Sequence, residues 1–449
     1  MERKVSTHMA LRAGAHAMVI TPPVGVDLHG YAGREGPAVG VHDDLYCRAL
    51  VLDDGLTRLA LMAFDLLGID FDLDRALRTA VGEAAGLPPD NVLLNCSHTH
   101  AGPAVAGLAG MGEPNASYLA ELRRRAAECA AAAAAKAAPA SLRLGAAPLR
   151  AGINRRERGP DGVIRLGRNP AGLCDQSVRV LSVDAADGRP AAILFHHACH
   201  GTTLGGDNRL ITAEWMGAAC RRIAERVDGA VPMFFQGCCG AINPDAAQHS
   251  FEEVERIGAD AAAAVLSALD TLAPIAASPL AARLSRVELP LVDPPHPDAA
   301  RADLAKAQAD VKAAQESGAH PYWVRALGAL VSRAERILEM SERGVKGQTL
   351  PFAVQAMRVG DLGIAALSGE VFLEFAHEIE RQSPAPHTLV LGYSNGCTGY
   401  VPTAEAMAEG GYEARESFGW YGTLPLAPSA GAEMVAAALR ALGDLWRQP

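Results

Sequence analysis

The sequence predicts an α/β protein in which β-sheets are flanked by helices. Short apolar runs alternate with helical patterns along most of the chain. Residues that bind metals or move protons recur at the ends of those runs, where α/β folds gather their ligands. No Pro-rich or Ser-rich linker divides the chain and it has no internal repeat, so the 449 residues read as one domain, 1–449.

The elements follow in order. Residues 13–65 carry short strands and turns: Ile20-Thr21-Pro22-Pro23 ends one strand, and 49–52 and 60–64 read as buried strands. A helical pattern at 70–86 precedes a short strand at 92–95. An Ala-rich helix of high intrinsic propensity is predicted at 118–138, then strand-like segments at 142–182. A strand at 192–197, a helix at 214–227 and a strand at 231–235 lead into Gly237-Cys238-Cys239-Gly240, and a second Ala-rich helix covers 251–272. At 297–343 Leu304, Ala307, Val311 and Ala314 fall at helical spacing, and a second helical run goes from 324 to 340. The break Ser317-Gly318-Ala319-His320-Pro321 makes this a helical hairpin insertion. Strands at 363–367 and 388–393 and an amphipathic helix at 429–446 complete the chain.

Composition narrows the class. The net charge is −10, with no basic cluster interleaved with aromatics, which argues against nucleic acid and against anionic lipid surfaces. No run of 18 apolar residues occurs, so no transmembrane helix is expected. The apolar stretch after Lys4 is broken by Arg12 and His16 before it reaches signal-peptide length, and no signal peptide is expected. The nine cysteines are odd in number and scattered, which reads as reduced thiols in a cytoplasmic protein.

Five segments carry the chemistry. His98 and His100 would share one face of an extended backbone, either as metal ligands or as a hydrogen-bonded pair. His196, His197, Cys199 and His200 form a rich donor cluster in which the metal-binding member is open, and Gly201 leaves room for close backbone approach. Glu370 follows a buried strand and a glycine; it suits a metal ligand, a general base or the cap of a following helix. Tyr393, Tyr400 and Tyr412, taken alone, read as core or surface aromatics. In Phe235–Pro244 the exposed turn N–H groups could bind an oxyanion, and Cys238 and Cys239 are a thiolate nucleophile, metal donors or buried inert thiols. There is no P-loop, which argues against nucleotide chemistry.

In this order the segments resemble the neutral/alkaline (non-lysosomal) ceramidase family. His98-Thr99-His100-Ala101-Gly102-Pro103 is similar to its His-Thr-His-Ser-Gly-Pro signature, and His200-Gly201-Thr202 to its Val-His-Gly-Thr block. Ser368-Gly369-Glu370 resembles Pro-Gly-Glu; Ser394-Asn395, Gly399-Tyr400-Val401 and Tyr412-Glu413 resemble Ser-Asn, Asn-Tyr-Val and Arg-Tyr-Glu; Ile153-Asn154-Arg155 resembles Ile-Asn-Arg. The likeness spans roughly 14–426. Two departures stand out: Gln236-Gly237 replaces a Gln-Ser pair, and Ala241 replaces an Asp.

The resemblance implies a ceramidase catalytic-domain-like fold without a C-terminal β-sandwich domain. It implies Zn2+ held by His98, His200, Glu370 and Tyr400, with His100, Arg155, Tyr412 and Glu370 as catalytic residues. The implied reaction is hydrolysis of the amide bond of a small-molecule N-acyl or lipid-like substrate by attack of zinc-bound hydroxide. Three alternatives remain open. They are an ester or lactone hydrolase on the same zinc site, a non-catalytic metal-binding family member, and a binuclear amidohydrolase barrel, which the strands preceding His98 disfavour. The hairpin at 297–343 is expected to be a lid, an oligomer surface or a plain exposed hairpin, so a homo-oligomer stays open.

Overall fold

The computed structural model describes residues 10–447; Lys4, weighed above as the start of a leader, lies outside them. Strands Tyr46–Asp53 and Arg58–Phe64 are apolar at nearly every position because both of their faces are covered. Ala49, Val51, Ala60, Met62 and Phe64 enter a core shared with helices, while Leu50, Leu52, Leu59 and Leu61 enter a second core shared with another sheet.

The main sheet runs Val231–Gln236, Pro190–His197, Ser177–Ala185, Ala138–Pro148, Arg12–Val19, Tyr46–Asp53, Arg58–Phe64, Val92–Cys96, and Ala273–Ile275 pairs with Ala138–Pro148. The outermost pairs at both edges are parallel and the pairs between them antiparallel. The second sheet runs Leu280–Pro290, Thr349–Val359, Leu362–Leu367, His387–Leu391, with only its last pair parallel. The two sheets pack face to face. Helices Phe71–Ala85, Ala116–Ala135, Glu214–Arg226 and Phe251–Leu269 cover the main sheet, and Leu373–Gln382 and Ala430–Arg447 cover the second. The expected α/β architecture with flanking helices is therefore found, including the hairpin, whose helices are Pro297–Glu316 and Pro321–Glu342.

Local chemistry sets the boundaries. Asp70, Asn115 and Ser250 each accept a hydrogen bond from a backbone N–H in the first turn of the helix that follows. The paired strands Leu280–Pro290 and Thr349–Val359 are absent from the sequence reading. Arg283, Ser285, Arg286 and Glu288 break the apolar pattern of the first, which is an edge strand. The strand expected at 388–393 stops at Leu391, because Tyr393 (φ 49°) and Asn395 (φ 58°) turn left-handed.

The two edges of the main sheet come together through side chains rather than backbone pairing. The Asn95 Oδ1 accepts from Gln236 N at 2.8 Å, and Asn95 Nδ2 donates to Gly392 O (2.8 Å), Ser394 Oγ (3.0 Å) and Gln236 O (3.3 Å). The Gln236 side chain in turn donates to Ser97 O (2.9 Å) and Cys199 O (2.8 Å) and accepts from Cys199 N (3.2 Å). Every atom of this stitch is buried. Asn95→Ala would leave Gln236 N and Gly392 O short of a partner, and is expected to destabilise the fold by about 3 kcal/mol. The check is a lowered urea midpoint at unchanged slope; a midpoint equal to wild type would show the stitch to be dispensable.

Candidate metal centre

The site assembles just beyond the carboxyl ends of parallel strands. Isolated bridges tie those ends together: Thr99 to Gly201, Asn95 to Ser394, and Gly237 to Leu391. A two-residue parallel pair sets Glu370 beside Tyr400. Glu370 is thus a strand residue; the helix that follows starts at Leu373, so it is not a helix cap.

His98 and His100 do converge, but not by strand alternation. The strand ends at Cys96, and His98 sits in the left-handed region at φ 63°, held by its N–H on Leu66 O at 2.9 Å. Three imidazoles, those of His98, His100 and His200, bring one nitrogen each within 4.8 Å of the others. His200 is the member of its cluster that joins; His196 and His197 point to Val390 O and Ser177 O instead.

Each of the three rings turns Nδ1 toward a backbone carbonyl. His98 Nδ1 lies 2.7 Å from Leu67 O, His100 Nδ1 3.1 Å from Gly30 O, and His200 Nδ1 2.9 Å from Cys239 O and 3.0 Å from Ile242 O. A carbonyl only accepts, so the proton of each neutral ring resides on Nδ1 and the Nε2 lone pairs face inward. His98 Nε2 and His100 Nε2 stand 3.2 Å apart with no proton to share. Glu370 Oε2 lies 3.2 Å from His200 Nε2 and 3.4 Å from His98 Nε2. This set of acceptors is satisfied by a cation, and the carbonyl-pinned Nδ1 atoms are the second partners that metal-binding histidines take. Gly30 is required at its position: at φ 105° a side chain would start 2.4 Å from His100 Nδ1.

Glu370 is further held by the hydroxyls of Tyr421 on Oε1 (2.6 Å) and Tyr393 on Oε2 (3.2 Å). Tyr393 also accepts from Cys239 Sγ at 3.1 Å. Arg155 is fixed by Glu413 (2.7 Å) and Asn243 (3.0 Å) and points Nη1 at His200 Nε2 (3.2 Å) and Nη2 at the Tyr400 hydroxyl (2.9 Å). Tyr412 packs edge-on to Tyr400, ring centres 5.7 Å apart, and its hydroxyl makes no hydrogen bond among the described residues. Among the described residues the Tyr400 hydroxyl reaches the histidine–Glu370 group at hydrogen-bond distance through Arg155. Tyr421 escaped the sequence reading; Tyr393, Asn243 and Glu413 lie in segments it singled out, but their roles as partners of Glu370 and Arg155 did not emerge from it, because a lone tyrosine or asparagine carries no spacing signal.

Burial dominates the electrostatics. It pushes His200 down to about 4, aided by Arg155, and holds His100 well below the ordinary imidazole value, aided by His98 and His200. Both rings are therefore neutral near pH 7. Burial alone would raise the Glu370 carboxyl; positive charge on the side of His98 and His200 is what holds it well below the ordinary carboxylate value. Burial raises the Tyr400 phenol, and Arg155 opposes the rise. Burial also pushes the Cys238 and Cys239 thiols up, which favours the inert reading of that pair over a thiolate nucleophile. All nine cysteines are free.

Residues 12–247, just over half of the chain, match the family model described as neutral/alkaline non-lysosomal ceramidase, N-terminal. The chain belongs to this ceramidase family. Among solved structures it is similar to the neutral ceramidase from Pseudomonas aeruginosa, with 20% identity and a TM-score of 0.75 over 97% of this chain and 74% of that one. A structure described as ceramidase complexed with C2 gives 18% identity and a TM-score of 0.76 over 98% of this chain and 76% of that one. At these identities the likeness speaks for the fold. No protein of curated function matches the chain. Ceramidase membership supports a hydrolase acting on amide bonds, and the buried three-histidine group could hold a metal ion.

One buried carboxyl supports His200 from behind. Glu214, itself left-handed at φ 60°, accepts from Leu204 N (2.9 Å) and Trp215 N (3.3 Å), and the Trp215 indole donates to His200 O at 2.9 Å. Burial raises Glu214 from 4.5 to about 7. Between those values the folded state keeps a proton that the unfolded chain has lost, so stability falls as pH rises from 4.5 to about 7 and levels off above. Glu214→Gln is expected to flatten this slope in thermal midpoints measured across that window; an unchanged slope would show that another group causes it.

Proposed function

We propose that the chain is a zinc-dependent hydrolase that cleaves the amide bond of a small-molecule or lipid-like N-acyl substrate. The observation that carries this proposal is the convergence of three imidazole nitrogens, two of them beside the Glu370 carboxylate, each ring locked by a carbonyl on Nδ1. Imidazole nitrogen and carboxylate oxygen are donors that zinc takes, and the set fits that ion. In the proposal His98, His200 and Glu370 hold the metal and Tyr400 is the further ligand. Arg155, on the Tyr400 hydroxyl, favours the phenolate that a ligand must be.

A bound zinc ion would supply Lewis acidity beside the scissile carbonyl and lower the pKa of a water molecule there. The chain's own residues do the rest. His100 is neutral, half-buried and held on Gly30 O, so its Nε2 can take a proton at the reacting centre. Arg155 stays charged between Glu413 and Tyr400, and with the free Tyr412 hydroxyl it can donate to an oxyanion developing on the substrate. Tyr421 and Tyr393 hold the Glu370 carboxylate in place as charge shifts around it. The nine scattered cysteines support a cytoplasmic setting for this activity.

Elemental analysis tests the proposal first. Wild-type protein is expected to carry about one zinc per chain, largely lost in His200→Ala. Amide hydrolysis on an N-acyl panel should drop at least about 100-fold in Arg155→Ala with the metal retained. Wild-type protein that takes up no metal, or metal content indifferent to His200→Ala, would overturn it.

A further inference from the structure

Between the second helix of the hairpin, Pro321–Glu342, and the 422–424 turn lies a cleft of about 350 Å³. It includes no residue of the metal centre. Small-molecule sites run from about 300 to 1,000 Å³, so this one suits a small ligand. Leu291, Ile337, Met340 and Leu424 give it apolar walls. Arg333, Arg336 and Arg343 also line it, against a single carboxylate, Glu339.

The charges in the cleft do not balance. Glu339 accepts from Arg343, one helical turn on, at 2.9 Å. Arg333 and Arg336, on successive turns of the same helix, form no ion pair among the described residues. Arg333 places Nε on Thr423 O at 2.8 Å, which leaves its two Nη groups for another partner. Arg336 makes no hydrogen bond among the described residues, and its Nη2 lies 3.5 Å from where a side chain on Gly422 would begin. Burial, and then the charge of Arg336, lower the Arg333 pKa, and Asp303 of the first hairpin helix offsets this only in part. Two guanidiniums are thus held close together without an anion, in a chain with 51 acidic residues against 41 basic ones. The other large cleft, about 380 Å³, also contains an arginine, but there Glu380 neutralises Arg179 at 2.9 Å.

We infer that this cleft is a binding site for a small anionic amphiphile, with an oxyanion head (carboxylate or phosphate) between Arg333 and Arg336 and an apolar chain of about eight carbons along Ile337, Met340, Leu291 and Leu424. The N–H groups of a guanidinium match the oxygens of such a head, and one anion bridging both arginines removes their mutual repulsion. The apolar walls then cover the chain, so a bare anion and a bare hydrocarbon each satisfy only half of the site. A net charge of −10 disfavours anions over the surface as a whole, and the arginine pair makes this cleft a local exception. The hairpin, left above as a lid, an oligomer surface or a plain hairpin, becomes one wall of a second site. That site involves neither the histidine cluster nor a metal, so it stands or falls apart from the amide-hydrolase proposal.

Calorimetric titration of the full chain tests this with four probes, each kept monomeric: octanoate, octyl phosphate, octanol and inorganic phosphate. At least one of the two amphiphiles is expected to bind with a Kd below about 1 mM, and the tighter of them identifies the head. Octanol and inorganic phosphate should each bind at least about 10-fold more weakly. Arg336→Gln, at an exposed position without a hydrogen bond, should fold as wild type and weaken the amphiphile at least about 5-fold. Met340→Glu, which sets a carboxylate on the apolar wall, should weaken it by at least as much. No binding of either amphiphile below about 1 mM would overturn the inference. So would octanol or inorganic phosphate binding as tightly as the amphiphile, or an affinity unchanged in either variant, which would put the ligand elsewhere on the molecule.

Discussion

Two buried amide side chains, Asn95 and Gln236, join the edges of a sheet whose backbone leaves them unpaired. Asn95 offers Gln236 a carbonyl and an amine, as a neighbouring strand would. Gln236 passes the constraint on, binding Ser97 O, one residue before His98, and both backbone groups of Cys199, one residue before His200. The spacing of the two histidines is thus set by a hydrogen-bond network in a region closed to water, where each bond is strong and each missing partner costly. The same Asn95 amine reaches Gly392 and Ser394, so the second sheet, which brings Glu370, is tied to the same point.

From this frame follows a centre ordered before any ion arrives. Carbonyls on Leu67, Gly30 and Cys239 choose the imidazole tautomers, and burial keeps the His100 and His200 rings neutral. Buried acceptors without donors raise the energy of the metal-free fold. That is the expected cost of a preformed site, and it is offset by cores on both faces of the main sheet. Glu214 and the left-handed His98 belong to the same pattern: each is locally unfavourable, and each lies where the chain must bend sharply to reach the cluster.

Much of this was legible in the sequence, for identifiable reasons. Strands such as Val92–Cys96 and Val231–Gln236 are buried on both faces and read as plain apolar runs, and the long helices carry clear spacing and caps. The hairpin was visible through Gly318 and Pro321 at its turn. The ordered short blocks pointed to Glu370 and Tyr400, which no local pattern distinguishes. What stayed hidden was set by tertiary contact. The left-handed turn at His98 depends on Leu66 and Leu67, and the grip of Tyr421 on Glu370 joins residues that share no periodicity. The edge strand Leu280–Pro290 mixes Arg and Glu into its apolar positions and gives no run to read.

The centre draws its histidines from the first half of the chain and its carboxylate from far downstream, His200 and Glu370 being 170 residues apart. A ribosome adding 5–20 residues per second takes on the order of ten to thirty seconds to cross that interval. For that time a nascent chain presents three imidazoles without the anionic partner that completes the set. Such a half-site has the donor chemistry that copper takes most avidly among the divalent first-row metals. Were this group to hold an ion, which one it held would turn on the order of synthesis and on the ions within reach of the ribosome, as well as on the finished geometry of the fold.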